Sequence, residues 1–416
     1  MKKYDEYNYV KMDPEVVRNL YGEYMKEKIL SQYKFPEEKS TDGFYHIWIK
    51  DPGVKSGRRQ IKASTIEILK NKVYSFEKKK EEIGRRTFKE CYELQKSQRK
   101  RRVKNESKKY SLANTERKSD CDYRRFFEGS DFEEMYIDEI TNKDIEKFYE
   151  DILLKFDLKM KATAGLKVVL SKTFKYALSE NYIDINPYDK CNFDKFSDMI
   201  IEDTPIAKRV HTGTETEMIL KAARAKQITD PKYTPAYALE LQMLMGARRG
   251  EIPPLTWDDI LDDRIWIHRE QLNTYRQSGF AENGFVIVEH TKTGIERYFP
   301  ITSQIRELLK RLDYIHGKYY SNSIFLFPAD TKLGCITNNV VYQFYKRTCN
   351  KLGIKSTPGI TKGTHSFRRN AITNMVNKSG GNFVLASRLY GNSPRTAERN
   401  YYTGIDINEA KKYLEV

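Results

Sequence analysis

Between residues 185 and 205 the chain loses every regular pattern. The stretch INPYDKCNFDKFSDMIIEDTP shows neither strand-like alternation nor helical recurrence and carries two prolines, whereas the residues before it read as continuous helix. Such a break within 416 residues argues against one continuous core and divides the chain into units that each bury their own.

Upstream of the break, 111–185 is helical throughout. TNKDIEKFYEDILLKF (141–156) opens on Thr141 as an N-cap, and TAGLKVVLSKTFKYALSENYI (163–183) repeats apolar residues at helical spacing. Nearer the N-terminus, GFYHIWIKD (43–51) and RRQIKAS (58–64) read as two short strands bridged by the turn-forming PGVKSG. A helix over 65–82 follows, with Ile66, Leu69, Val73 and Phe76 on one face, and residues 1–40 read as a helical lead-in ending near Pro36. The expected organisation is a small unit of two strands and a helix with its lead-in (1–83), a helical unit (84–186), a linker (187–204) and a mixed α/β unit with a C-terminal tail (205–416). The fold class is mainly α with small β elements.

Charge narrows the partner. Lys and Arg number 74 against 58 Asp and Glu, a formal net charge of +16. That excess implies a polyanion, of which nucleic acid is the commonest. No apolar run approaches the roughly 18 residues that would span a bilayer, so membrane is not the expected partner. The opening MKKYDEYNYVKMDPE lacks the apolar core of a secretory signal, and five scattered cysteines form no CxxC pair; both suit a reducing cytoplasm. Two basic regions are candidate DNA contacts. One is the ribbon, with Arg58, Arg59 and Lys62 beside Tyr45 and Trp48. The other is KSQRKRRVKNESKK (96–109), with Arg99, Arg101, Arg102 and Lys104.

Four separated pieces beyond residue 205 carry chemistry only as a set. In YALELQMLMGARRGEIPPLTWDDI (237–260) an apolar helix runs into Gly246 and presents Arg248 and Arg249, either of which can offer a guanidinium fork to a phosphate. In FVIVEHTKTGIERYFPIT (285–302) two strand-like runs flank Lys292 at what reads as a hairpin tip. In GTHSFRRNAITNMV (363–376) His365 and Arg368 share one helix face, an arrangement suited to an anionic transition state. In ASRLYGNSPRTAERNYYTGIDINEA (386–410) Gly391 and Pro394 break a helix before Tyr401 and Tyr402.

In this order, MGARRGE, HTKTG, THSFRR and LYGNSPRTAERNYY resemble the catalytic block of the tyrosine recombinase (phage integrase) family. The likeness extends over about 205–416. The helical unit resembles that family's core-binding domain, and the 43–82 unit resembles the arm-binding domain of integrases from conjugative transposons and phages of Gram-positive bacteria. The resemblance implies a site-specific recombinase that breaks and rejoins DNA through a 3′-phosphotyrosyl link, integrating or excising a mobile element. Arg248 and Arg368 would clamp the phosphate, with Glu251 in support. Lys292 would protonate the leaving 5′ oxygen and His365 would help move the tyrosine proton. Asn392 stands where most members have a second histidine. The spacing from Asn392 selects Tyr401 as nucleophile, with Tyr402 as the alternative. The reaction conserves bond energy, so no cofactor and no metal is expected, and Asp258 and Asp259 read as fold support. The implied partners are duplex attachment sites and a homotetramer assembled on DNA, with an excision factor and a host DNA-bending protein as possible additions. The tail 404–416 is expected to dock on a neighbouring subunit. The rival readings are a DNA-binding regulator with a decayed site and a topoisomerase-like relaxing enzyme.

Overall fold

A computed structural model of the chain describes residues 23–24, 26–51, 57–82, 85–276, 280, 284–354, 362–404 and 407–414. Most of the N-terminal lead-in, the turn at 52–56 and parts of the tail lie outside them. Among the described residues three separate apolar cores organise the chain, and the structure is mainly helical with three two-stranded sheets.

The smallest core lies under an antiparallel ribbon of β1 (Tyr45–Lys50) and β2 (Arg58–Ala63), backed by α1 (Ile66–Glu82). Strand alternation sends Ile47, Ile49 and Ala63 inward against Leu69 and Val73 of the helix. The opposite face carries Trp48 and Lys50, paired in register with Gln60 and Arg58, and there the Trp48 side chain is 60% exposed.

The second core joins α2 (Phe88–Arg102), α3 (Glu106–Phe126), α4 (Asn142–Lys155) and α5 (Met160–Ser179). Thr141 caps α4 in a reciprocal box with Asp144, as its sequence predicts. The basic run 96–109 is not one helix: α2 ends at Arg102 and α3 starts anew at Glu106, capped by Asn105. The aperiodic 187–204 stretch is not free chain. Short helical turns at Pro187–Lys190 and Asp194–Met199 seat Phe196 in this core and Phe193 against Tyr149. Aromatic residues at irregular spacing anchor that segment without producing any period.

The largest core gathers α6 (Gly213–Thr229), α7 (Thr234–Met245), α8 (Ser303–Tyr319), α9 (Asn338–Lys351), α10 (His365–Lys378), α11 (Phe383–Tyr390) and α12 (Pro394–Asn400). An apolar helix, α7, is almost wholly buried at its centre. Beside it lie β3 (Arg264–Ile267), β4 (Glu270–Thr274), β5 (Gly284–Val288) and β6 (Arg297–Pro300). The expected hairpin around Lys292 does not form. Instead β5 pairs with β4 and β6 pairs with β3, so Lys292 sits on a loop joining two separate sheets. Register explains the outcome: pairing β6 with β3 places Phe299 opposite Ile265, and both are buried.

The helical unit touches this sheet through α3. Asn114 Nδ2 donates to the Asn273 carbonyl at 3.0 Å, and the Arg117 guanidinium lies 4.1 Å from the centre of the Tyr275 ring. The last helix, α13 (Ile407–Leu414), leaves Ile407 and Leu414 exposed.

Candidate active site

Two glycines set the geometry. Helices α7 and α11 end in left-handed residues, Gly246 (φ +58°) and Gly391 (φ +62°), a conformation glycine adopts without the steric cost of a Cβ. A Cβ on Gly246 would also stand 2.7 Å from the Ala371 methyl, so glycine alone lets α10 approach. The carbonyl ends of both helices therefore converge, and their partial negative charge meets two guanidiniums.

Arg368, on α10, is fully buried. Its Nη1 donates to the Gly246 carbonyl at 3.2 Å, and its Nη2 donates to the Tyr390 carbonyl and to Asn392 Oδ1. Burial, with the charge of Arg248 second, pushes its pKa down to about 10. Arg248 follows the α7 cap. Its Nη1 meets Glu251 at 2.9 Å, and its Nη2 reaches the Gly391 carbonyl at 2.9 Å and Asn392 Oδ1 at 3.0 Å. Arg249 turns the other way, 5.1 Å from the Tyr342 ring centre. Asn392 thus bridges the two arginines through one oxygen, while its Nδ2 has no hydrogen-bond partner. That amide remains a donor for an anion held by the pair.

Beneath them Glu251 is almost fully buried and also meets Arg297 Nη2 at 2.5 Å. Burial alone would raise its pKa, but Arg297 and Arg248 outweigh that and hold its carboxyl below the usual range. Arg297 and Glu270 are functional candidates that the sequence reading missed. Glu270 is 6% exposed. Burial and the Glu251 charge push its carboxyl up to about 7, against the pull of Arg248, His290 and Lys292. The available signal was a charged residue at an inward strand position.

Lys292 is exposed on its loop, which closes on itself where Thr291 Oγ1 donates to the Ile295 carbonyl at 2.9 Å. Neighbouring Thr293 approaches the Gly391 carbonyl at 3.5 Å, tying the loop to the arginine pair. His365 keeps an exposed surface, yet protein packed about its ring and the charges of Arg369, Arg368, Arg248 and Lys292 push its pKa down to about 4. Its ring centre lies 5.2 Å from that of Tyr401, and the Arg368 guanidinium lies 5.5 Å from the same tyrosine ring. Tyr402 faces elsewhere: its hydroxyl donates to Asn377 Oδ1 at 3.0 Å and its ring packs on Phe383. The site therefore assembles Arg248, Glu251, Lys292, His365, Arg368, Asn392 and Tyr401. Asp259 instead accepts from His268, Arg269 and Thr256, a local structural role.

The proposed DNA contacts lie on other elements than these side chains. Arg58 and Lys62 are on the exposed ribbon face, but Arg59 points to the helix side, pairing with Asp51 at 2.5 Å over the Phe76 ring. Arg101, Arg102 and Lys104 are exposed where α2 gives way to α3, and Arg99 is half-buried. Among the described residues no cluster of side chains suits a metal ion, and no helix is long and apolar enough to cross a membrane.

Residues 209–405 match the phage integrase family. Among solved structures, the Tn1549 transposon integrase (residues 82–397) in complex with a circular intermediate DNA superposes with a TM-score of 0.59 at 20% identity, covering 79% of this chain and 99% of that one. A lambda integrase dimer bound to a COC′ core site gives a TM-score of 0.52 at 16% identity over 90% of this chain and 99% of that one. A lambda integrase tetramer bound to a Holliday junction gives 0.51 at 15% identity over 87% and 97%. At these identities the structural likeness establishes a shared fold. No curated protein matches the chain at the sequence level.

Proposed function

We propose that the chain, whose residues 209–405 match the phage integrase family, is a tyrosine recombinase that joins and separates a mobile element and its target with Tyr401 as the nucleophile. The observation carrying this reading is the convergence of Tyr401, His365 and Arg368 on one spot beside Arg248 and Asn392.

A phosphodiester entering here meets two guanidiniums already fixed by helix-end carbonyls. Little reorganisation is then needed as negative charge gathers on the non-bridging oxygens. His365, neutral at physiological pH because its pKa is depressed, can accept the Tyr401 proton. The Tyr401 oxygen attacks phosphorus, the bond to the 5′ oxygen breaks, and Lys292 delivers a proton to that oxygen. Asn392 Nδ2 holds a phosphate oxygen but, as an amide, moves no proton. Attack by the 5′ hydroxyl of a second strand reverses the steps.

The three cores support an arm unit over 1–83, a core-binding unit over 84–186 and a catalytic unit over 205–416, with Arg58, Lys62, Arg101, Arg102 and Lys104 touching DNA phosphates. Strand exchange between two duplexes calls for four active sites, hence a tetramer on DNA; an excision factor and a bending protein fit the same scheme. The exposed Ile407 and Leu414 of α13 suit docking on a neighbouring subunit. Deleting 405–416 is then expected to impair assembly, and unchanged strand exchange would contradict that docking.

A duplex nicked close to the crossover point tests the reaction class. The expected result is a protein–DNA adduct that survives denaturation in SDS. Tight binding without adduct would favour a regulator with a decayed site, and relaxation of plasmid lacking any specific site would favour a topoisomerase.

A further inference from the structure

Beside the tyrosine lies a cleft of about 500 Å³ whose basic lining the chemistry above does not use. Four cations from four segments converge on it: Lys161 at the start of α5, Arg209 on the segment leading to α6, Arg369 on α10 and Arg399 on α12. Asp203 is the only carboxylate among the lining residues, and it is engaged by Arg209 at 3.7 Å. Four cations against one carboxylate leave three charges uncompensated in a concave site.

Arg369 makes the imbalance acute. Its Nη1 donates to the Arg209 carbonyl at 3.4 Å, while its Nε is buried without a partner. Burial and the neighbouring Arg209 charge both disfavour its cationic form. A buried, unsatisfied guanidinium donor among like charges costs free energy that an anion would recover. His365 and Tyr401 form part of the cleft wall, and the same tyrosine ring lies 5.5 Å from Arg368. The cleft and the arginine pair are therefore neighbours across one tyrosine. Phosphates arrive on a DNA strand in series, so a strand that sets one at Arg248 and Arg368 carries another alongside.

We infer that this cleft is a second phosphate site, which takes a backbone phosphodiester flanking the one that Tyr401 attacks. It rests on the reading of the chain as a DNA strand-transfer enzyme. Lys161 belongs to the helical unit and the arginines to the segment and unit that follow, so the bound phosphate ties the two together next to the nucleophile.

The test uses the full chain carrying Tyr401→Phe, which cannot form an adduct, so binding is read apart from chemistry. The probes are duplexes of its crossover site with a single neutral methylphosphonate at each of the three positions on either side of the scissile phosphate. At one position the substitution should weaken binding roughly tenfold, the worth of a charge-assisted contact. Adding Arg399→Gln and Lys161→Gln, both at exposed positions, should remove that sensitivity. These changes should also lower the slope of log K against log salt by about one per lost contact. Equal sensitivity of parent and variant at every position would overturn the inference. So would competition by inorganic phosphate, at fixed ionic strength, that vanishes in the variant, since that would mark a free-anion site. Interference without any adduct from the unsubstituted protein would sink the enzymatic reading and keep the site; adduct without interference would do the reverse.

Discussion

The ribbon of β1 and β2 and the centre at Arg248 and Arg368 both present cations, under opposite physical conditions. On the ribbon, Arg58 and Lys62 share a wet face with a Trp48 that is 60% exposed. At the centre Arg368 is fully buried among helix-end carbonyls. An exposed cation is screened by salt and adapts to its partner. A buried one is expensive to desolvate and is kept only where neighbouring dipoles and acceptors hold it in place. The ribbon is thus built for adjustable grip, and the centre for fixed charge at one atom.

The contrast is most easily broken at the centre. Arg368→Ala removes a transition-state donor, orphans the carbonyls of Gly246 and Tyr390 and leaves a cavity. Single-turnover cleavage of a nicked duplex should fall by about 10² to 10³, and thermal unfolding should shift downward as well. A loss below tenfold would mean that the site does not depend on this buried charge.

Glu270 gives a smaller effect with a defined sign. Its carboxyl is pushed from 4.5 up to about 7, so between those values the folded chain holds a proton that the unfolded chain releases. Stability from this group is present below about pH 4.5 and is lost as pH rises through about 7. Glu270→Gln should therefore raise the melting temperature at pH 8 more than at pH 5. An equal change at both pH values would rule out the raised carboxyl.

Much of this centre was legible in the sequence. His365 and Arg368 three apart on a helix, and Gly246 ahead of Arg248, are local relations that chain spacing preserves. Arg297 and Glu270 were not legible, because their roles come from strand pairing that brings β6 and β4 beneath Glu251. The pairing itself was misread. Proximity along the chain suggested a hairpin around Lys292, whereas burial of Phe299 opposite Ile265 decided the partners. Arg59 shows the same limit in the arm: adjacent to Arg58 in sequence, it faces the other side of the ribbon and pairs with Asp51.

The smallest effect belongs to the ribbon. Arg58→Gln and Lys62→Gln should each lower the salt slope of arm-site binding by about one, while cleavage of an isolated core duplex stays unchanged. A cleavage defect of the size expected for Arg368→Ala would erase the distinction between the two regions.

The central claim is that the hydroxyl beside His365 and Arg368 becomes bonded to DNA. Trapping the adduct on a nicked duplex, digesting it and identifying the linked residue by mass spectrometry reads that bond directly. The geometry predicts the nucleotide on Tyr401, with Tyr401→Phe giving no adduct and Tyr402→Phe retaining it. A nucleotide on Tyr402, whose hydroxyl is committed to Asn377, would contradict the account.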